Sequence, residues 1–249
     1  MKGSYLLGHS AAKRPKANIF AKRSSLILHD LLVEQEEPFR IRGLSEKTGL
    51  SVGLVHRVLS ELAHDGFVRV EGIRTAKDYR VERRAELMEL WLSSYRIADR
   101  CRLHTYNTAY SEKEILKALT SSPLAESAVL ALHSSCRQFG YSYTNLETTE
   151  LYLRDKDKRE EFERLLYLEP QERGYQVLLI EPYYSEIIER RMSRSKNLLV
   201  SPPFLSFLDL YHFPLRGQEQ AEYLLGKHPA LRILAAAMKK DNRGRKNPR

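Results

Sequence analysis

In the first third of the chain, apolar side chains recur at helical spacing. Leu28, Leu31 and Leu32 share one face of an expected helix over residues 22–37. A short extended piece at 38–41, a short helix at 43–50 and a longer helix at 51–65 are expected next. Gly66 ends the longer helix, because the residue past a helix end adopts a left-handed conformation that glycine enters without strain. Residues 67–70 and 78–81 alternate as strands, joined by a loop that holds Gly72, Arg74 and Lys77. Residues 82–101 predict one more helix, with Met88, Trp91, Leu92 and Tyr95 along a stripe suited to a core or a dimer face.

Beyond residue 101 the period switches back and forth. Helices are expected at 112–122 and 158–166, and strands at 128–132, 148–153, 175–181 and 198–200. Ser201 as N-cap and Pro202 as first helical residue open another helix, followed by helices at 218–226 and 229–239. The fold class is therefore α+β or α/β: an N-terminal winged helix-turn-helix joined by a helix to a mixed α/β domain. The expected boundaries are an arm at 1–20, the winged helix at 21–82, a connector helix at 83–101, the α/β domain at 102–238 and a structureless basic tail at 239–249.

A helix-turn-helix needs two helices across a tight turn, with the second free to enter the major groove. Leu44 to Thr48 supply the first helix and Gly49 the turn, Leu50 packs inward, and Ser51 caps the second helix. Val55, Leu59 and Leu62 take the core side, which leaves Val52, Gly53, Leu54, His56, Arg57 and Ser60 for a ligand. The candidate DNA-binding residues are thus Ser51, Val52, Gly53, Leu54, His56 and Arg57, with Arg74, Lys77 and Arg80 from the wing. Arg57 leads, because its guanidinium grips guanine bidentately or holds a phosphate. Val52, Gly53 and Leu54 offer little hydrogen bonding, so direct base readout is expected to be thin. Residues 39–72 resemble the winged helices of bacterial regulators over nearly their whole length.

Charge fits that reading. The net charge of +9 is uneven: residues 1–100 hold 18 Lys and Arg against 13 Asp and Glu, residues 239–249 hold 6 against 1, and residues 101–238 hold 17 against 18. A basic excess confined to one region and a tail suits an anionic polymer. Lys13, Arg14, Lys16, Lys22 and Arg23 are placed to track a phosphate backbone, and Arg243, Arg245, Lys246 and Arg249 to add nonspecific affinity. A homodimer is expected, because one winged helix rarely suffices for a specific site. The chain's start lacks the basic-then-apolar order of a secretory signal and no apolar run is long enough for a membrane span, so a cytoplasmic protein is expected. Cys101 and Cys136 stand apart without metal-ligand spacing and read as free thiols.

The most individual segment is Val200–Leu210, followed by Pro214-Leu215-Arg216-Gly217-Gln218-Glu219-Gln220-Ala221-Glu222-Tyr223-Leu224. Together with the upstream winged helix it resembles the AbiEi family of antitoxins of type IV toxin–antitoxin systems, most strongly at 40–82 and 198–225. The resemblance implies a repressor of its own operon whose C-terminal domain counters a nucleotidyltransferase-like toxin. From the residues alone, Leu205, Leu208 and Tyr211 form a core stripe, and Asp209 and Arg216 are candidates to pair across a corner. A nucleotidyltransferase needs a glycine turn and two carboxylates one residue apart. Here Leu132-His133-Ser134-Ser135 lacks the glycines, and Tyr152 stands where a partner for Glu150 belongs, so at most a degenerate fold of that type is expected. Asp155 and Asp157 read as a helix start beside lysines. No phosphate loop, zinc-protease or nucleophile-elbow motif occurs. The expectation is a regulator of duplex DNA, without enzyme activity or cofactor. A nucleotide- or nucleic-acid-modifying enzyme, and an interaction antitoxin that works without DNA, are the alternatives.

Overall fold

The computed structural model describes residues 18–33, 38–73 and 77–246, the last six as backbone only. Most of the expected arm, Arg74 of the wing and the side chains of the basic tail lie outside the described residues.

The amino-terminal unit is built from α1 (Ser24–Val33), α2 (Ile41–Thr48), α3 (Val52–His64), β1 (Val68–Glu71) and β2 (Asp78–Val81). The two strands pair antiparallel with Val68 opposite Val81. Phe39 adds a bridge to Tyr79, its amide donating to the Tyr79 carbonyl at 3.0 Å while the rings stack at 5.8 Å. That bridge ties the start of the helix-turn-helix to the wing. At the end of α3, Gly66 takes φ +73, and Phe67 N–H donates to the Leu62 carbonyl at 2.8 Å. This closes the helix with the bond pattern expected around a left-handed glycine.

The expected single connector divides into α4 (Arg84–Ser94) and α5 (Ile97–Arg100). Tyr95 interrupts it with an extended backbone and turns its ring inward, 4.8 Å from Tyr184. The rest of the chain gives β3 (Arg102–Asn107), α6 (Glu112–Thr120), β4 (Ala128–Leu130), α7 (Leu132–Phe139), β5 (Thr149–Leu153), α8 (Arg159–Leu165), β6 (Glu169–Pro170), β7 (Val177–Glu181), α9 (Ser185–Arg191), β8 (Ser193–Ser195), β9 (Leu198–Val200), α10 (Pro203–Leu210), α11 (Gly217–Lys227) and α12 (Arg232–Lys246). A mixed sheet runs β6-β3-β7-β5-β4-β9-β8, with β5/β7 and β4/β9 parallel and the other pairs antiparallel.

Both faces of this sheet are covered, and strand alternation divides its residues between two cores. Leu151, Leu153, Val177, Leu179, Leu130 and Val200 face α6 and α8 through Ile115, Leu119 and Phe162. Tyr152, Leu178, Ile180, Val129 and Leu199 face the other way, into a core shared with α7, α9, α10 and the whole amino-terminal unit. The two expected domains thus share one continuous apolar core, where independent domains would meet across a smaller and more polar interface.

Three local expectations change. Ser201 does not cap α10: its amide still donates to the Leu130 carbonyl at 2.9 Å, extending the sheet, and Pro202 takes the cap position. Asp209 does not meet Arg216. It is buried and accepts from the Tyr152 hydroxyl, while Arg216 lies over the Tyr143 ring and reaches Glu219 at 3.4 Å. The carboxy-terminal helix α12 continues past residue 239 to Lys246, where a structureless tail was expected. Strong helix formers run from Leu234 to Lys240, and Leu234 and Ala235 anchor its buried side.

Candidate nucleic-acid interface

The turn between α2 and α3 is set locally. Gly49 sits at φ +64 and its amide donates to the Glu46 carbonyl, ending α2. Arg190 of α9 lies against this turn so closely that a Cβ on Gly49 would meet its Nη1 at 2.6 Å. Leu50 is buried, and Ser45 Oγ donates to its carbonyl at 2.5 Å. Ser51 then caps α3, its Oγ accepting from Leu54 N–H at 3.3 Å. The first amides of α3 remain at the surface, an arrangement that suits a phosphate oxygen.

Val55, Val58, Leu59 and Leu62 of α3 are buried. The opposite face carries exposed Ser51, Val52, Gly53, His56, Arg57 and Ser60. Val52 is half exposed for an apolar residue, and nothing lies within 4 Å of where a Gly53 Cβ would stand. Leu54 is half buried and packs on the core, so only part of its side chain faces outward.

Between α3 and the wing lies a groove of about 610 Å³ lined by Arg40, Arg42, His56, Lys77, Val52 and Tyr79, with Ile41. It brings together Val52, His56 and Lys77 from the expected set. Arg57 is exposed on the same helix outside the groove lining, and makes no ion pair with another described residue. Arg80 alternates to the side of the wing opposite the buried Tyr79 and lies 3.7 Å from Glu71. Its position in the strand directs it away from the groove.

Arg40 and Arg42 were missed from sequence. Their signal is the alternation in Phe39-Arg40-Ile41-Arg42, where arginines interleave with apolar residues just ahead of α2. Arg40 is positioned by Asp78, to which its Nε donates at 2.8 Å. The groove therefore gathers three cations and a histidine beside the exposed start of α3.

Residues 27–72 match the IclR helix-turn-helix domain. That match and the groove support a DNA-binding transcriptional regulator with a winged helix. The matched span runs from α1 into the wing loop and does not reach the α/β part. No curated protein and no solved structure matches the chain.

In the α/β part, the residues considered for catalysis are enclosed by protein partners. Glu150 Oε2 accepts from Ser134 N–H at 2.8 Å and from Ser134 Oγ at 2.6 Å, and Oε1 accepts from Thr148 and Tyr175 hydroxyls. The carboxyl thus caps the start of α7; burial pushes its pKa up, against the opposing charge of Arg137. The thiols of Cys101 and Cys136 are buried and pushed up to about 12 by desolvation, which makes them poor nucleophiles. Gly217 and Gln220 of the Arg216-Gly217-Gln218-Glu219-Gln220 motif are structural. A Cβ on Gly217 would meet the Leu210 carbonyl at 2.5 Å. Buried Gln220 donates to the Tyr141 carbonyl at 2.8 Å and accepts from Tyr143 N–H at 2.7 Å. Among the described residues, no group of His, Cys, Asp and Glu is arranged to hold a metal, and no helix is long and apolar enough to cross a membrane.

Proposed function

We propose that this protein is a transcriptional repressor that binds a specific site in duplex DNA as a homodimer. The observation that carries the reading is the cationic groove beside the bare face of α3. In this reading the start of α3 enters the major groove, and Arg57 and His56 donate to base edges or phosphates. Arg40, Arg42 and Lys77 hold the flanking backbone, and the half-exposed Val52 packs against a base edge. Phosphate-holding cations outnumber base-reading groups, so shape and backbone contacts carry much of the affinity.

The resemblance of residues 198–225 to AbiEi antitoxins supports a finer version, in which the chain represses its own operon and its α/β part meets a nucleotidyltransferase-like toxin. We read that part as an interaction unit and not an enzyme, because its one candidate acidic centre, Glu150, is fully engaged as a helix cap. A hydroxyl-radical footprint on the duplex upstream of the protein's own gene tests the reading. Two protected half-sites separated by a whole number of helical turns are expected; uniform cleavage with and without the protein would contradict it.

A further inference from the structure

A second cleft lies on the seam between the winged helix and the sheet, away from the groove just described. It encloses about 440 Å³ and is lined by Lys22, Arg100, Arg102, Glu181, Tyr183 and Glu186, together with Pro182 and Ser185. Its cations come from two segments: Lys22 just before α1, and Arg100 and Arg102, two residues apart where α5 leads into β3. None of the three makes an ion pair with a described residue. The carboxylates that share the cleft have partners of their own, Glu181 with His104 at 3.0 Å and Glu186 with Arg23 at 3.8 Å. Arg100 stacks over the Tyr183 ring at 5.7 Å, which orders one wall. Lys22 from one segment and Arg100 and Arg102 from another thus present unpaired donors to the same opening.

We propose that this cleft binds a small molecule bearing a phosphate monoester. The two guanidinium forks suit a tetrahedral oxyanion, whose several oxygens can meet both arginines and Lys22 at once where a carboxylate's two cannot. The ligand would bridge Lys22, on the segment that leads into the winged helix, to Arg100 and Arg102 on the sheet side. The same seam holds α9, whose Arg190 packs on the Gly49 turn and whose Arg191 pairs with Asp30 of α1. Occupancy therefore stabilises the folded chain, in which the two units share one core, by mass action.

The chain supplies its own reporter. Trp91 is its only tryptophan, and its Nε1 donates to Tyr184 Oη at 2.8 Å, next to the Tyr183 wall. Inorganic phosphate is titrated against the full chain at constant ionic strength, with chloride as the control, and Trp91 emission is followed. A saturable change with phosphate alone is expected, weakened at least about tenfold in R100Q/R102Q and unaltered in Arg57→Ala. Arg100 and Arg102 are exposed, so the variant is expected to keep the wild-type melting temperature. Equal responses to phosphate and chloride, or an unweakened response in R100Q/R102Q, would overturn the site. So would a severalfold loss of DNA affinity by R100Q/R102Q without phosphate, since these cations would then belong to the DNA surface. A failure of this site leaves the reading of the α3 groove untouched.

Discussion

Helices α1 and α3 both carry leucines at helical spacing, and they differ in what meets their polar sides. On α3 the polar side is bare. On α1 nearly every side chain is buried, and the polar ones have partners within the chain. Arg191 donates to both carboxylate oxygens of Asp30 at 2.8 Å, and the His29 ring meets Phe204 edge-on at 5.1 Å. Trp91 and Tyr184 complete the seam, with the Tyr184 hydroxyl donating to the Phe20 carbonyl at 3.0 Å. A polar helix face that its own chain satisfies is architecture. A polar face left open beside a cationic groove is evidence of a partner from outside.

The largest effect separating the two is expected at Arg191. Replacing it with methionine leaves the Asp30 carboxylate buried without its main counter-ion, which costs about 3–5 kcal/mol. A steep drop in melting temperature checks this. A near-neutral change would mean that His29 alone satisfies Asp30, and that the seam matters less than argued. Burial alone would raise the pKa of Asp30, but hydrogen bonds from His29 and Arg191 and the Arg191 charge outweigh it and hold the carboxyl below its ordinary range. Its contribution to stability is therefore complete above the ordinary carboxyl pKa and lost as pH falls through the lowered one.

Asp209 behaves in the opposite sense. Burial raises it to about 7, against hydrogen bonds from Tyr152 and Tyr95. Between the ordinary carboxyl pKa and about 7 the folded chain keeps a proton that the unfolded chain has released. Its stabilising contribution is thus complete at the acid end and lost as pH rises towards the folded value. The stability of Asp209→Asn relative to the wild type is expected to rise with pH across that window, by on the order of 1 kcal/mol per unit. Urea midpoints at several pH values measure it, and a pH-independent difference would show that Asp209 ionises normally.

On the open face the expected effects fall on binding. Arg57→Ala is expected to weaken DNA binding by about 1–3 kcal/mol with an unchanged melting temperature. If stability fell and affinity did not, Arg57 would belong with the architecture. The smallest effect is expected at Ser51. Its exposed cap bond to Leu54 is worth about 1 kcal/mol of stability, read from the denaturation midpoint of Ser51→Ala.

The helix-turn-helix was legible from sequence because its rules are local. Gly49, Ser51 and Gly66 mark turns by their own chemistry, and the α3 stripe repeats over three turns. The short apolar runs of β7 and β9 were legible for the same reason, since continuous apolar runs of strand length mark buried strands. What escaped depends on distant contacts. The polar side of α1 is covered by Arg191 and Phe204, which lie far along the chain and carry no local signal. Strand β3 escaped because its residues are mostly half exposed near a sheet edge and lack an apolar alternation. Arg40 and Arg42 were passed over because only the Phe39–Tyr79 bridge brings their segment alongside Lys77 and the wing. Asp209 and Arg216 suggested a pair by proximity in sequence, but the buried Tyr152 hydroxyl takes the aspartate.

The most direct test of the open face as a DNA surface is the salt dependence of binding to the protein's own upstream duplex and to a scrambled one, followed by fluorescence anisotropy. The account predicts tighter binding to the upstream duplex and a steep fall in affinity between about 50 and 200 mM salt. It also predicts a log–log slope shallower by about 1 for each of Arg42→Ala and Lys77→Ala. Equal, weak binding to both duplexes, with slopes unmoved by either substitution, would contradict it.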